Sequence, residues 1–233
     1  MKITVAIVRV NGKEQYQNTI KRWLDSYVKF QTSVPHEVVV VDRYQDNPDG
    51  MFDSIGARHI RYDGLGWDVG TWQHLGNTEE TDLLVCFNSR SYITGHHWLE
   101  RFTDSVDQNG VGLFGPMASY EISPHIRTPC MVFQPNVIRG YPLIVDNREK
   151  TYQFESMGTP SFPNFTIWCR QNGFKTMMVT WDGCYDLPNW RKPDNIFRRG
   201  TQSNCIVKDG HADLYDNSEA SYRSMLEKLA DSC

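Results

Sequence analysis

At 233 residues, with 39% hydrophobic and 22% charged side chains, the chain has ordinary globular composition and length for one α/β core plus a C-terminal extension. Its 24 basic and 28 acidic residues leave a net charge of −4, which disfavours a broad nucleic-acid footprint. No apolar run reaches membrane-spanning length, and six cysteines without a C-x-x-C pair offer neither a zinc knuckle nor a redox motif, so a cytoplasmic protein with buried thiols is expected.

Residues Ile3 to Val10 are β-branched and end at the turn pair Asn11-Gly12, which reads as a first strand. From Glu14 to Phe30 the apolar positions Ile20, Trp23, Leu24, Tyr27 and Val28 recur at helical spacing, and Glu37 to Val41 is a second buried strand ending on Asp42. A strand, a helix and a strand in succession predict a right-handed βαβ unit with parallel strands, which sets the loops after Arg9 and Asp42 side by side. A third short strand, Ile60 to Tyr62, leads into a glycine-bearing turn and a helix over about Val69 to Leu75, followed by a strand Leu83 to Phe87.

Further along, a helix is expected over His97 to Val106 and strands over Gly110 to Phe114, Ile126 to Phe133 and Phe174 to Trp181. A helix over Phe165 to Asn172 is closed by Gly173, and a last helix falls near Ser218 to Leu229.

The chemistry gathers between Arg61 and Gly95. Ligands of open α/β sheets collect at the carboxyl ends of strands, and here a polar loop, Asn88-Ser89-Arg90-Ser91, follows the buried run Leu83 to Phe87. The loop has no carboxylate to hold a metal, whereas Arg90 suits a phosphate as well as a surface role. Gly64-Leu65-Gly66-Trp67-Asp68-Val69-Gly70 opens a helix, but its G-x-G-x-x-x-G spacing and its place after the third strand exclude the dinucleotide fingerprint. Asp68 reads either as an N-cap or as a group facing ribose and phosphates at a helix start.

Asp42 is a turn-forming residue or a hydrogen-bond acceptor for a nucleotide. Glu155 lies between Phe154 and the turn Ser156-Met157-Gly158, where an apolar neighbour would raise its pKa toward that of a general base. His125 and Arg127 flank a strand, while Arg198, Arg199 and His211 form a polar cluster in the tail. The motifs H-E-x-x-H and G-x-S-x-G and the P-loop are absent.

In their order, these segments resemble a glycosyltransferase of the GT-A fold, close to the family 2 type, over roughly residues 3 to 182. VAIVRVNGKEQYQNTIKRWLDSY is similar to the family's opening strand and helix, EVVVVD to its second strand, GLGWDVGTWQHL to its donor-facing turn and DLLVCFNSRSYI to the strand that normally ends in a metal-binding aspartate motif. HIRTPCMVF is similar to the strand beside the acceptor cleft and FESMG to the segment bearing the carboxylate base.

The resemblance implies a single Rossmann-like nucleotide-diphospho-sugar transferase domain, α/β with a mixed central sheet flanked by helices, over residues 1–186. Residues 187–233 would be an extension packing on or closing over the donor site. It implies transfer of a sugar from a nucleotide sugar, a UDP-sugar first among them, to a glycan or other hydroxyl acceptor. Glu155 and Arg90 are then catalytic, Arg9, Asp42, Gly66, Asp68, Asn88, Arg90, Arg198, Arg199 and His211 bind the donor, and His125 and Arg127 bind substrate. Ser89 or Arg90 takes the metal-binding aspartate position, so no residue is assigned to a metal and Mn²⁺ or Mg²⁺ is not required on this reading. The alternatives are a non-catalytic nucleotide-sugar-binding protein, a transferase glycosylating modified nucleic-acid bases, which the net charge disfavours, and a nucleotidyltransferase.

Overall fold

A computed structural model describes residues 1–10, 14–43, 50–192 and 196–230. The turn expected at Asn11-Gly12 lies outside these residues. In chain order the elements are β1 (Ile3–Val10), α1 (Glu14–Lys29), β2 (Glu37–Arg43), β3 (Arg58–Arg61), α2 (Trp67–Thr78), β4 (Leu83–Phe87), β5 (Tyr92–Ile93) and α3 (Trp98–Asn109). They continue with β6 (Gly112–Gly115), β7 (Ala118–Ser119), β8 (His125–Ile126), β9 (Cys130–Phe133), α4 (Pro135–Gly140) and α5 (Arg148–Tyr152). After a π-helical turn at Gln153–Met157 come α6 (Phe165–Gln171), β10 (Lys175–Val179), β11 (Cys184–Asp186), β12 (Val207–Lys208), α7 (Gly210–Asp216) and α8 (Ala220–Ala230).

The fold is α/β. Eight strands form one mixed sheet in the order β11-β10-β6-β9-β4-β1-β2-β3. β1 runs parallel to β2 and to β4, and Arg9 is in register with Asp42. β9 is inserted antiparallel between β4 and β6, which brings its first residues, after Thr128 and Pro129, to the carboxyl end of β4. Alternation along the strands splits the core in two. Val5 and Ile7 face a layer with Trp23, Trp98 and Phe102, whereas Ala6 and Val8 face Trp72, Phe133, Phe154 and Phe165.

Several local expectations change in the folded chain. The run Ile126 to Phe133 divides into β8 and β9, because Arg127 N–H bonds the Met117 carbonyl and leaves the sheet. Val28, assigned to the apolar face of α1, is 52% exposed, while Ile20, Trp23 and Leu24 carry its burial. The N-cap of α2 is Gly66 and not Asp68. Gly66 has φ 94°, and a Cβ there would sit 1.9 Å from the Val145 carbonyl oxygen, so only glycine fits. Residues 153–157 continue α5 as a helical turn where an open turn was expected at Ser156-Met157-Gly158, and Gly158 at φ 67° ends it. The five described cysteines are free thiols, four of them buried.

Candidate functional site

A cleft of about 440 Å³ opens at the carboxyl ends of β1, β2 and β4. Val10 and Arg43 come from the ends of β1 and β2, Asn88, Ser89 and Arg90 from the loop after β4, and Arg127 and Thr128 from the approach to β9. The start of α2 adds Trp67 and Asp68, the helix of α5 and its π-turn add Arg148, Thr151, Tyr152 and Glu155, and the C-terminal segment adds Asp209 and His211.

The β4 loop is built to present Arg90. Asn88 Oδ1 accepts from Arg90 N at 2.9 Å and from Ser91 Oγ at 2.7 Å, which folds the loop back on itself. Ser91 Oγ also reaches the Pro129 carbonyl, so that its one proton is shared between two acceptors and the loop is tied to β9. The Arg90 side chain is left exposed, with its guanidinium carbon 5.9 Å from the ring of Tyr16 on α1.

Asp68 meets this loop from α2, accepting from the backbone N–H of Ser89. Burial pushes its pKa up to about 6, against the pull of Arg43 and Arg90. Arg43 is itself held by a 2.7 Å bond to the Gly64 carbonyl.

Glu155 stands in the opposite condition. Burial raises its pKa, but Arg127, His125 and two bonds from Thr128 outweigh burial and hold it below the ordinary value of 4.5. Oε1 accepts from Thr128 Oγ1 at 2.8 Å and from Thr128 N at 3.1 Å. This corrects the expectation that Phe154 would raise its pKa. Phe154 turns into the core against Tyr141 and Phe165, and the carboxylate meets polar and charged groups.

Arg127 is nearly buried, 3.5 Å from the Phe197 ring and 3.7 Å from an Asp209 carboxylate oxygen. Asp209 caps α7 through the N–H groups of His211 and Ala212. Burial lowers the pKa of His211, and Arg127, Arg198 and Arg90 lower it further against Asp209, so the ring is neutral at pH 7.

The remaining residues singled out in the sequence lie outside the cleft lining. Arg9 and Asp42 are buried and paired at 3.5 Å, and His59 Nδ1 sits 2.6 Å from Asp42 Oδ2. Gly66 is buried against the Val145 carbonyl. His125 is buried near Glu155, with Nδ1 donating to the Ser123 carbonyl at 2.8 Å. Arg198 pairs with Glu121 at 2.9 Å, and Arg199 is exposed.

Conversely, Arg43, Trp67, Thr128, Arg148, Tyr152 and Asp209 line the cleft without being expected there from the sequence. A signal existed for two of them, since Arg148, Tyr152 and Glu155 recur at i, i+4 and i+7 on one helical stripe.

Among the described residues, no group of three or more His, Cys, Asp or Glu side chains could hold an ion. Around the β4 loop the carboxylate is Asp68, which faces Arg43 and Arg90.

No protein-family model matches the sequence, and no curated protein matches it. Among solved structures the chain is similar to S. aureus TarS (15% identity, TM-score 0.43, covering 60% of this chain and 29% of that one). It is also similar to TarS 1-349 in complex with UDP (15%, TM-score 0.43, covering 60% and 48%) and to HddC from Yersinia pseudotuberculosis complexed with GMP-PN (12%, TM-score 0.40, covering 62% and 82%). The match spans less than half of the length of the TarS chains. No described helix is long and apolar enough to cross a membrane.

Proposed function

We propose that the chain is a glycosyltransferase that moves a sugar from a nucleotide-sugar donor to an acceptor hydroxyl. One observation carries this reading. A strand-end cleft joins an exposed arginine on a pinned loop, Arg90, to a carboxylate held in its basic form, Glu155.

In the proposed reaction the acceptor oxygen forms a bond to the anomeric carbon, and the bond from that carbon to the diphosphate oxygen breaks. The electron pair leaves with the nucleoside diphosphate, and the acceptor proton passes to Glu155. Thr128 occupies Oε1, which assigns Oε2 to the proton. Arg90 receives the developing charge of the leaving diphosphate in place of a divalent ion, with Arg43 and Arg127 adding positive potential.

Asp68, Asn88 and His211 complete the donor side. Arg9 and Asp42 act from beneath it, by fixing the ends of β1 and β2. Residues 1–186 form the transferase domain on this reading, and 187–233 the extension closing the donor side. Its support is the pairing of β12 with β5 and the seat of Asp209 and His211 in the cleft. A UDP-sugar is the first donor to test.

Glu155→Gln separates chemistry from binding. Turnover of the donor should fall by about 10²–10⁴, the usual contribution of a positioned base, while thermal stabilisation by the nucleoside diphosphate is kept. Normal turnover in this variant would remove Glu155 from the reaction.

A further inference from the structure

Four of the seven tryptophans, Trp23, Trp72, Trp98 and Trp190, are fully buried, whereas Trp67 is 46% exposed at the rim of the cleft. Its backbone is in the left-handed region, φ 56°, a conformation that a bulky residue adopts only under strain. The strain falls on the first residue of α2, where glycine would relieve it and where the ring is turned toward the cleft lining.

A second half-exposed ring, Tyr152, lines the same cleft at 43% exposure. Arg148 lies between the two, its guanidinium carbon 5.9 Å from the Trp67 centroid and 5.6 Å from that of Tyr152. Its Nη2 donates to Tyr152 Oη at 3.0 Å, which fixes the ring and leaves other guanidinium donors for a ligand. Tyr152 precedes Glu155 by three residues on one continuous helical segment, and both line the cleft.

We propose that Trp67 and Tyr152, bridged by Arg148, form an acceptor subsite that packs on the apolar face of a sugar ring, and that the acceptor is therefore a glycan. The proposal rests on the transferase reading for its catalytic meaning. Pyranose rings carry C–H groups on their faces and hydroxyls at their edges. Flat aromatic surfaces beside a planar array of N–H donors match both features. The position favours the acceptor over the nucleobase. Arg148 and Tyr152 sit on the helical segment that carries Glu155, whereas the diphosphate ligand Arg90 comes from the β4 loop.

Trp67→Ala, Trp67→Gly and Tyr152→Ala, compared with wild type on an array of defined oligosaccharides, test the subsite. A parallel thermal-shift series with UDP, GDP, ADP and CDP tests the donor side. The wild type should bind a subset of glycans, and each variant should lose at least tenfold of that binding while keeping the nucleoside-diphosphate shift. Trp67→Gly relieves the left-handed backbone and should melt no lower than Trp67→Ala, which excludes misfolding as the cause of its loss. Absence of glycan binding in the wild type overturns the subsite. So does retained glycan binding with loss of the nucleotide shift in the Trp67 variants, which would make the rings a base-stacking platform. Trp67-dependent glycan binding with no nucleotide shift in any protein would sink the transferase reading alone.

Discussion

Of the three carboxylates that line the cleft, Asp68, Glu155 and Asp209, the first two have surroundings that drive their pKa values apart. Asp68, at the start of α2, has one backbone donor and is pushed up to about 6 by burial despite two nearby arginines. Burial also acts on Glu155, which is half-buried on the π-turn after α5, yet Arg127, His125 and Thr128 hold it below the ordinary glutamate value. Burial therefore does not decide a carboxylate's state; the donors aimed at it do. A pair pushed apart in this way divides its work, with Glu155 always ready to accept a proton and Asp68 changing charge near neutrality.

After Glu155→Gln, the largest expected effect comes from removing Arg90, the exposed cation that pulls on Asp68. Arg90→Ala should lower turnover by about 10²–10³, as expected for removing a leaving-group stabiliser. Its melting temperature should stay near that of wild type, because Arg90 is exposed and makes no buried bond. Unchanged turnover would move charge stabilisation to another residue.

Asp68→Asn and Thr128→Val act on the comparison itself. An acid whose folded pKa lies above its unfolded value binds more protons when folded, so its charge costs stability as pH rises from about 4 to 6. Asp68→Asn should therefore stabilise the protein by on the order of 2 kcal/mol at pH 7 and by much less at pH 4, as read from chemical denaturation at the two pH values. Equal effects at both pH values would show that burial does not control Asp68. Thr128→Val deletes the 2.8 Å hydroxyl bond to Glu155 and should cost about 1.5–3 kcal/mol. It should also raise the folded pKa of Glu155, shifting the acid limb of kcat/KM to higher pH. Glu155's own contribution has the opposite sign to Asp68's, being present above its unfolded pKa and lost as pH falls through the depressed folded value.

The smallest effect is a proton count. A diphosphate near neutral His211 and the partly ionised Asp68 raises both pKa values, so binding should take up protons near pH 6. Calorimetry in buffers of different ionisation enthalpy reads this uptake directly, and buffer-independent heats would contradict it.

Much of the scaffold was legible in the sequence because it depends on local pattern. The β-branched runs at Ile3 to Val10 and Glu37 to Val41, and the spacing of Trp98, Phe102 and Val106, set strands and helices without tertiary help. Arg90, Asp68 and Glu155 could be named because each lies at the end of an element. Their neighbours could not be named in the same way. Asp42 ends a strand as visibly as Arg90 follows one, yet the parallel register places it opposite Arg9 and against His59. Thr128 reaches Glu155 only because β9 inserts antiparallel beside β4, a register no local pattern encodes. Arg148 and Tyr152 were hidden because Ser156-Met157-Gly158 read as an open turn, which ended the helical pattern before it could join them to Glu155.

The central claim is that this cleft takes a nucleotide sugar and neutralises its diphosphate with arginine. A thermal-shift panel of nucleotide sugars, run with Mn²⁺ and again with EDTA, tests it most directly. At a hundred times Kd a true donor adds about 2.7 kcal/mol of stability, or roughly 5–10 °C for a chain of this size. The account expects such a shift from at least one donor, undiminished in EDTA and reduced in Arg90→Ala. A shift that disappears in EDTA, or no shift with any donor, would contradict it.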